Sequence, residues 1–121
     1  MPLPKNKTIA IVDDDRFLRE SLQDLFETAG LIGEPYPSAE DFISRNGFLT
    51  ADVVLADFHL GGMSGIELLK ILRQEGHCHS VVIMTVDASL PVQAAAIQAG
   101  AVAFLLKPFS SNQLLSCVER L

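Results

Sequence analysis

The sequence predicts a three-layer α/β domain, a five-stranded parallel sheet with helices on both faces. Three observations carry that prediction. Apolar runs of strand length alternate with stretches of helical periodicity, five times in 121 residues. The runs are apolar throughout, as strands buried on both faces must be. Glycines and capping serines fall at the junctions where helices must stop or start.

In chain order, Thr8-Ile9-Ala10-Ile11-Val12 is a β-branched run that opens onto Asp13, Asp14 and Asp15. The next segment places Leu18, Leu22, Leu25, Phe26 and Ala29 on one helical face and stops at Gly30, where a left-handed cap is expected. Residues 31–36 form a weaker strand. After Pro37, Ser38 with Asp41 supplies a capping-box start for a short helix that ends near Asn46-Gly47. The third strand, Val53-Val54-Leu55-Ala56, stops on Asp57 and is followed by the glycine-rich loop His59-Leu60-Gly61-Gly62-Met63-Ser64-Gly65. Ser64 and Glu67 start the third helix, whose stripe of Ile66, Leu69 and Leu72 runs toward Gly76.

Val81-Val82-Ile83-Met84 is the fourth strand and ends on Thr85. Pro91 lies in the first turn of an alanine-rich helix reaching Gly100, where its missing N–H has no helical partner to lose. Residues 101–106 are the fifth strand, ending on Lys107-Pro108. Ser110 with Gln113 caps the last helix, which carries Leu114, Leu115, Val118 and Leu121. With right-handed crossovers, the flavodoxin-like (βα)5 arrangement with strand order 2-1-3-4-5 is the natural one for five such units. No linker, low-complexity tract or repeat divides the chain, so residues 1–121 are expected to form one domain.

Composition narrows the function. With 49% hydrophobic and 20% charged residues the chain is neither disordered nor, lacking an apolar run near 20 residues, expected to span a membrane. The start, Met1 to Thr8, is polar and proline-containing rather than signal-like, and a cytoplasmic location is expected. Cys78 and Cys117 are too few for a disulfide framework and are expected as free thiols. A net charge of −6 with no basic cluster disfavours direct contact with nucleic acid or anionic membrane. Proteins and cations are the expected partners.

In open parallel sheets, sites form beyond the carboxyl ends of the strands, where the winding reverses. Asp13 and Asp14, Asp57, Thr85 and Lys107 all fall at such ends. Each has an ordinary alternative, a helix cap for Asp13 or Asp14, a β-branched strand end for Thr85, a solvated charge for Lys107. Together the three carboxylates form an all-oxygen acidic cluster, which suits a hard divalent cation, Mg²⁺ best of all. Asp57 would then attack a phosphoryl group as a carboxylate nucleophile, with the Lys107 ammonium and Thr85 hydroxyl meeting its oxygens.

On the segments Ile11-Val12-Asp13-Asp14-Asp15, Leu55-Ala56-Asp57, Met63-Ser64-Gly65, Met84-Thr85 and Phe104-Leu105-Leu106-Lys107-Pro108-Phe109, the whole chain resembles a receiver domain of a two-component response regulator. The resemblance implies that Asp13 and Asp14 hold Mg²⁺ with Asp57 and the His59 carbonyl. It implies that Asp57 takes the phosphoryl group from a sensor histidine kinase or phosphotransfer protein, that Thr85 and Phe104 are a switch pair, and that Lys107-Pro108 is cis. It also implies a switchable surface of the fourth helix, fifth strand and fifth helix that binds a second copy or an output, in most cases controlling transcription. Ser38-Ala39-Glu40-Asp41-Phe42 and Ala99-Gly100-Ala101 are most similar to receivers that precede a LuxR-type helix-turn-helix domain, which this chain does not include.

The chain departs from that pattern at Gly61, usually proline, which loosens the loop, and at Val86, usually alanine or glycine, which crowds the phosphorylation site. Val86→Ala is therefore expected to gain phosphoryl groups from acetyl phosphate faster than wild type, and equal rates would contradict the crowding. His59 and Asp87 flank the same opening, where an imidazole would make phosphoryl lifetime depend on pH between about 5 and 8. His77-Cys78-His79 reads as a surface loop rather than a zinc site, which needs about four ligands. The Val92, Ala95, Ala96 and Ala99 face is expected to pack in the core. Two other functions compete: an interaction receiver that works without phosphate, and a metal-dependent phosphatase. The haloacid dehalogenase kind of phosphatase needs a second aspartate where His59 stands.

Overall fold

The computed structural model describes residues 7–87 and 89–121; most of the polar start lies outside them. The elements are β1 (Thr8–Val12), α1 (Arg16–Thr28), β2 (Ile32–Tyr36), α2 (Ala39–Ser44), β3 (Val53–Asp57), α3 (Gly65–Gln74), β4 (Ser80–Thr85), α4 (Leu90–Ala99), β5 (Ala103–Leu106) and α5 (Ser111–Glu119). The strands form one parallel sheet in the order β2-β1-β3-β4-β5, as the alternation of buried runs and helices requires.

Because successive side chains on a strand point to opposite faces, each strand feeds two cores. Ile9, Ile11, Val53, Leu55, Val82 and Met84 pack with Leu22 and Phe26 of α1 and Leu114 and Val118 of α5. Ala10, Val12, Val54, Ala56, Val81 and Ile83 pack on the other side with Phe42, Leu69, Leu72 and Ala96 of α2, α3 and α4. Burial of these apolar faces is the main driving force of the fold, at roughly 1.5–3 kcal/mol for each large side chain. No helix among the described residues is long and apolar enough to cross a membrane.

Several boundaries differ from expectation for local reasons. Ala29 is exposed rather than packed, since it is already the C-cap of α1; the left-handed residue is Gly30, with φ of 83°. After α2, Asn46 takes φ of 53° and a 3₁₀ turn, Gly47–Leu49, inserts before β3. Strand β5 starts at Ala103 rather than 101, because the Ala101 N–H still closes the end of α4 on the Ala96 carbonyl. Of the three expected capping boxes, that of Ser110 and Gln113 alone is reciprocal. Ser38 accepts from the Asp41 N–H, but the shorter Asp41 side chain pairs with Arg45 at 3.0 Å instead of reaching back. Ser64 likewise accepts from the Glu67 N–H without the return bond. On α4 only Ala96 is fully buried; Val92, Ala95 and Ala99 are half-buried.

His77-Cys78-His79 is a structural corner. The His77 ring stacks on Phe48 at 4.3 Å, and His79 Nε2 lies 2.7 Å from the Phe48 carbonyl. Arg73 donates to the carbonyls of His77, His79 and Gly100, which fastens the connection into β4. Cys78 is exposed, and both cysteines are free.

Candidate functional site

Backbone hydrogen bonds continue the ladders one step past the strands and so fix the residues that follow. Asp13 N–H donates to the Tyr36 carbonyl, Phe58 N–H to Met84, and Lys107 N–H to Thr85. The carboxyl edge of the sheet therefore carries Asp13, Asp57, Thr85 and Lys107 side by side. Lys107 Nζ donates to Asp57 Oδ2 at 2.6 Å and to Asp13 Oδ2 at 2.9 Å, joining residues 50 and 94 positions away in the chain. The peptide between Lys107 and Pro108 is cis.

The remaining carboxylate oxygens of the two buried acids are also held. Asp13 Oδ1 accepts from the Asp15 N–H at 2.8 Å, and Asp57 Oδ1 from the His59 N–H at 3.0 Å. Asp15, rather than Asp13 or Asp14, caps α1, accepting from the N–H groups of Phe17 and Leu18. That assignment leaves Asp14 exposed beside the cluster. Arg19, which sequence spacing did not single out, donates to the Asp13 carbonyl at 2.8 Å and braces the β1–α1 turn.

Burial pushes the Asp57 carboxyl above the ordinary carboxylate range, and the charge of Asp13 adds to the effect. Hydrogen bonds from Lys107 and His59 hold it back without reversing the direction. For Lys107, burial alone would lower the pKa; its bonds to Asp57 and Asp13 outweigh that and raise it, so the ammonium is firmly charged at neutral pH.

Carboxylate oxygens of Asp13, Asp14 and Asp57 all lie within 4.8 Å of one another, the one such group of possible metal ligands among the described residues. Three carboxylates face one ammonium, leaving two negative charges for a divalent cation to balance. The donor set is entirely oxygen and partly open to solvent through Asp14, which fits a hard, partly hydrated ion. His59 starts the loop at the rim of this cluster, its ring edge-on to Phe58 at 4.7 Å.

Thr85 is fully buried, and its hydroxyl accepts from the Asp87 N–H at 3.0 Å. Asp87 in turn accepts from the Ser89 N–H at 2.8 Å, at the N-cap of α4, and this bond holds its carboxyl below the ordinary range. Phe104 is half-buried on β5 and packs on the core beneath α2, α3 and α4. Val86 is 70% exposed at the rim of a cleft of about 330 Å³ lined by Leu18, Lys107, Pro108 and Phe109. A larger cleft of about 470 Å³ between α3 and α4 lies away from the acids and lacks their chemistry.

A five-stranded parallel sheet of this order with a lysine-bridged acidic edge defines the receiver class. The sequence model of the response regulator receiver domain matches residues 9–119, and the chain belongs to that family. Among relatives, it is 34% identical over 117 residues to the transcriptional regulatory protein FixJ of Azorhizobium caulinodans, covering 97% of this chain and 56% of that protein. It is 34% identical over 110 residues to the DNA-binding transcriptional regulator NtrC of Salmonella typhimurium, covering 91% of this chain and 24% of that one. The crystal structure of FixJ-N superimposes with a TM-score of 0.88 at 30% identity, covering 97% of this chain and 94% of that one. The chain thus spans about half the length of FixJ and a quarter of NtrC.

Proposed function

We propose that residues 1–121 act as one receiver domain in which Asp57 accepts a phosphoryl group from a phosphohistidine. The observation that carries this reading is the Lys107 ammonium shared between Asp57 and Asp13 in a cluster of three carboxylates. A carboxylate oxygen of Asp57 attacks phosphorus, the P–N bond breaks, and the electron pair leaves on the imidazole nitrogen, which is protonated by solvent. Asp13, Asp14, Asp57 and the His59 carbonyl would hold Mg²⁺, which when bound would supply neutralising charge for the phosphoryl oxygens. Lys107 exchanges its two carboxylate partners for those oxygens. The domain accepts and loses its own phosphoryl group and does not turn over free substrate; the missing second aspartate at His59 disfavours the phosphatase reading.

The new acyl phosphate brings roughly −2 of charge beside Thr85 and draws its hydroxyl toward it. The Asp87 N–H is bonded to that hydroxyl, and Asp87 to Ser89, so Thr85 moves only with the start of α4 or by breaking a bond to it. Phe104 can then turn into the space vacated, which reshapes the α4, β5 and α5 surface. Leu90 and Ile97 on that surface are 79% and 69% exposed, a face suited to a second copy or an output domain. A change from 1:99 to 99:1 requires about 5.5 kcal/mol of preference for the active state. Control of transcription in the cytoplasm, without direct contact between this domain and DNA, is the output that the resemblance to FixJ and NtrC supports.

The donor side is built differently. Phe17 is 80% exposed on the first turn of α1, next in the chain to Leu18, which lines the apolar cleft with Val86, Pro108 and Phe109. A helix carrying the phosphohistidine can dock there with its imidazole over Asp57. Phe17→Ala is expected to slow transfer from a phosphorylated histidine phosphotransfer protein by about tenfold, the loss of one interfacial aromatic anchor. Its rate with acetyl phosphate should stay at the wild-type value; an equal loss with both donors would contradict docking at Phe17.

The proposal is tested by intact-protein mass after incubation with acetyl phosphate. A gain of one phosphoryl group that needs Mg²⁺ and is lost in Asp57→Asn supports it. No gain from either acetyl phosphate or a phosphohistidine donor would favour a receiver that binds partners without phosphate.

A further inference from the structure

We infer that Glu40 is a positioning residue for the β3–α3 loop: its carboxylate, standing on α2, occupies the space left by Gly62 and holds the Met63 amide. The loop is thereby set before a cation binds. The inference deepens the reading of the acidic cluster as a metal and phosphoryl site and rests on it for its consequence; the contact itself does not.

Two observations meet at this residue. Met63 N–H donates to Glu40 Oε1 at 3.2 Å, a tether across 23 residues of chain. A Cβ built on Gly62 would fall inside contact distance of Glu40 Oε2, so one carboxylate oxygen accepts from the Met63 N–H while the other stands where a side chain at position 62 would begin. Gly62 does not have a left-handed φ, and its backbone is open to any residue; what glycine provides there is room for Glu40. At Gly61, by contrast, an added Cβ would meet only Asp14 Oδ2, at 3.9 Å.

The loop is already fixed at both ends, through His59 N–H on Asp57 Oδ1 and Gly65 N–H on the Phe58 carbonyl at 3.3 Å. Between these points Gly61-Gly62 would otherwise sample many conformations. Glu40 restrains the middle from outside the site, which raises the fraction of loops with the His59 carbonyl in place. Apparent affinity scales with that fraction. The effect of losing a single exposed hydrogen bond is accordingly modest, of the order of threefold.

The test uses the metal-free protein first and Mg²⁺ alone second. Amide exchange and chemical shift at Met63 are followed by NMR in wild type, Glu40→Ala, Glu40→Gln, Gly62→Ala and the Glu40→Ala/Gly62→Ala double variant, and each is then titrated with Mg²⁺. Glu40→Ala should exchange the Met63 amide several-fold faster and need about threefold more Mg²⁺ for half-saturation. Glu40→Gln, which keeps an acceptor oxygen without the charge, should stay within about twofold of wild type. Gly62→Ala should mimic Glu40→Ala by displacing the carboxylate, and the double variant should be no worse than either, the non-additivity of one shared contact.

Wild-type behaviour of Glu40→Ala would overturn the inference. So would a Glu40→Gln that falls with it, because the effect would then be charge and not position. A wild type that shows the Glu40-dependent Met63 protection yet takes no phosphoryl group would instead overturn the reading of Asp57, and the tether would stand.

Discussion

Lys107→Met is expected to melt roughly 10 °C below wild type in metal-free buffer at pH 8, a loss of about 2 kcal/mol. Removing one member of a buried ion pair costs about 3–5 kcal/mol because the partner is left charged and unpaired. The Lys107 side chain is 18% exposed, so water relieves part of that penalty and the lower value is the better expectation. Two carboxylates are orphaned at once, those of Asp13 and Asp57, and neither carboxylate has another cation as a hydrogen-bond partner among the described residues.

The sign of the pH dependence follows. Burial already raises Asp57, and losing the Lys107 bond removes the largest opposing influence, so the folded pKa rises further above the unfolded one. A carboxyl with a raised folded pKa favours the native state when protonated and weakens it as pH climbs through that pKa. The deficit of Lys107→Met should therefore be smaller near pH 5 than at pH 8, and Mg²⁺ should recover more stability in the variant than in wild type. A deficit that ignored both pH and Mg²⁺ would show that Lys107 acts by packing alone.

Gly65→Ala is the second large effect. A Cβ at this position would run into the carbonyl oxygen of Asp57 and stand 3.1 Å from its carbonyl carbon, with Ile83 Cδ1 at 3.4 Å. The obstacle is backbone at the end of a central strand and cannot swing aside as a side chain would. Overpacking of this kind costs typically 1–3 kcal/mol. Relief comes only by moving α3 away or Asp57 out of line, and a displacement of about 1 Å at a reacting group costs up to 100-fold in rate. Gly65→Ala should thus be phosphorylated by acetyl phosphate at least tenfold more slowly at a temperature where circular dichroism shows it folded. A folded variant with the wild-type rate would contradict the tight seating of α3 on Asp57.

These two residues show what was legible in the chain. The strand ends were readable because buried runs stop sharply on polar side chains, and a parallel sheet puts every such end on one edge. Asp13, Asp57, Thr85 and Lys107 could thus be grouped without knowing any side-chain direction, and the structure gathers the three carboxylates and Lys107 there. The sheet has the order 2-1-3-4-5 that is natural for five βα units.

What stayed hidden depends on distances between elements. Arg19 and Glu40 look like ordinary surface charges in their helices, and only the packing of α1 on the β1 turn and of α2 beside the β3–α3 loop gives them partners. The cap was expected, if anywhere, at Asp13 or Asp14, whereas Asp15 takes it; any of three neighbouring aspartates can accept from a helix N–H, and spacing does not choose between them. Gly62 stood out only as one glycine of a glycine-rich loop, because composition does not distinguish a glycine needed for φ from one needed for space. The bond between Thr85 and Asp87, which links the strand end to α4, likewise has no signature beyond a spacing common to many turns.

The most direct test of the phosphoryl-accepting role is to locate the modified residue. Protein treated with acetyl phosphate and Mg²⁺ is reduced with borohydride, which converts an aspartyl phosphate to homoserine, and peptides are then mapped by mass spectrometry. Homoserine at position 57, absent when Mg²⁺ is withheld, is the predicted result. Homoserine at position 13 or 14, or a phosphoryl group carried on serine, threonine or histidine with Asp57 unchanged, would contradict it.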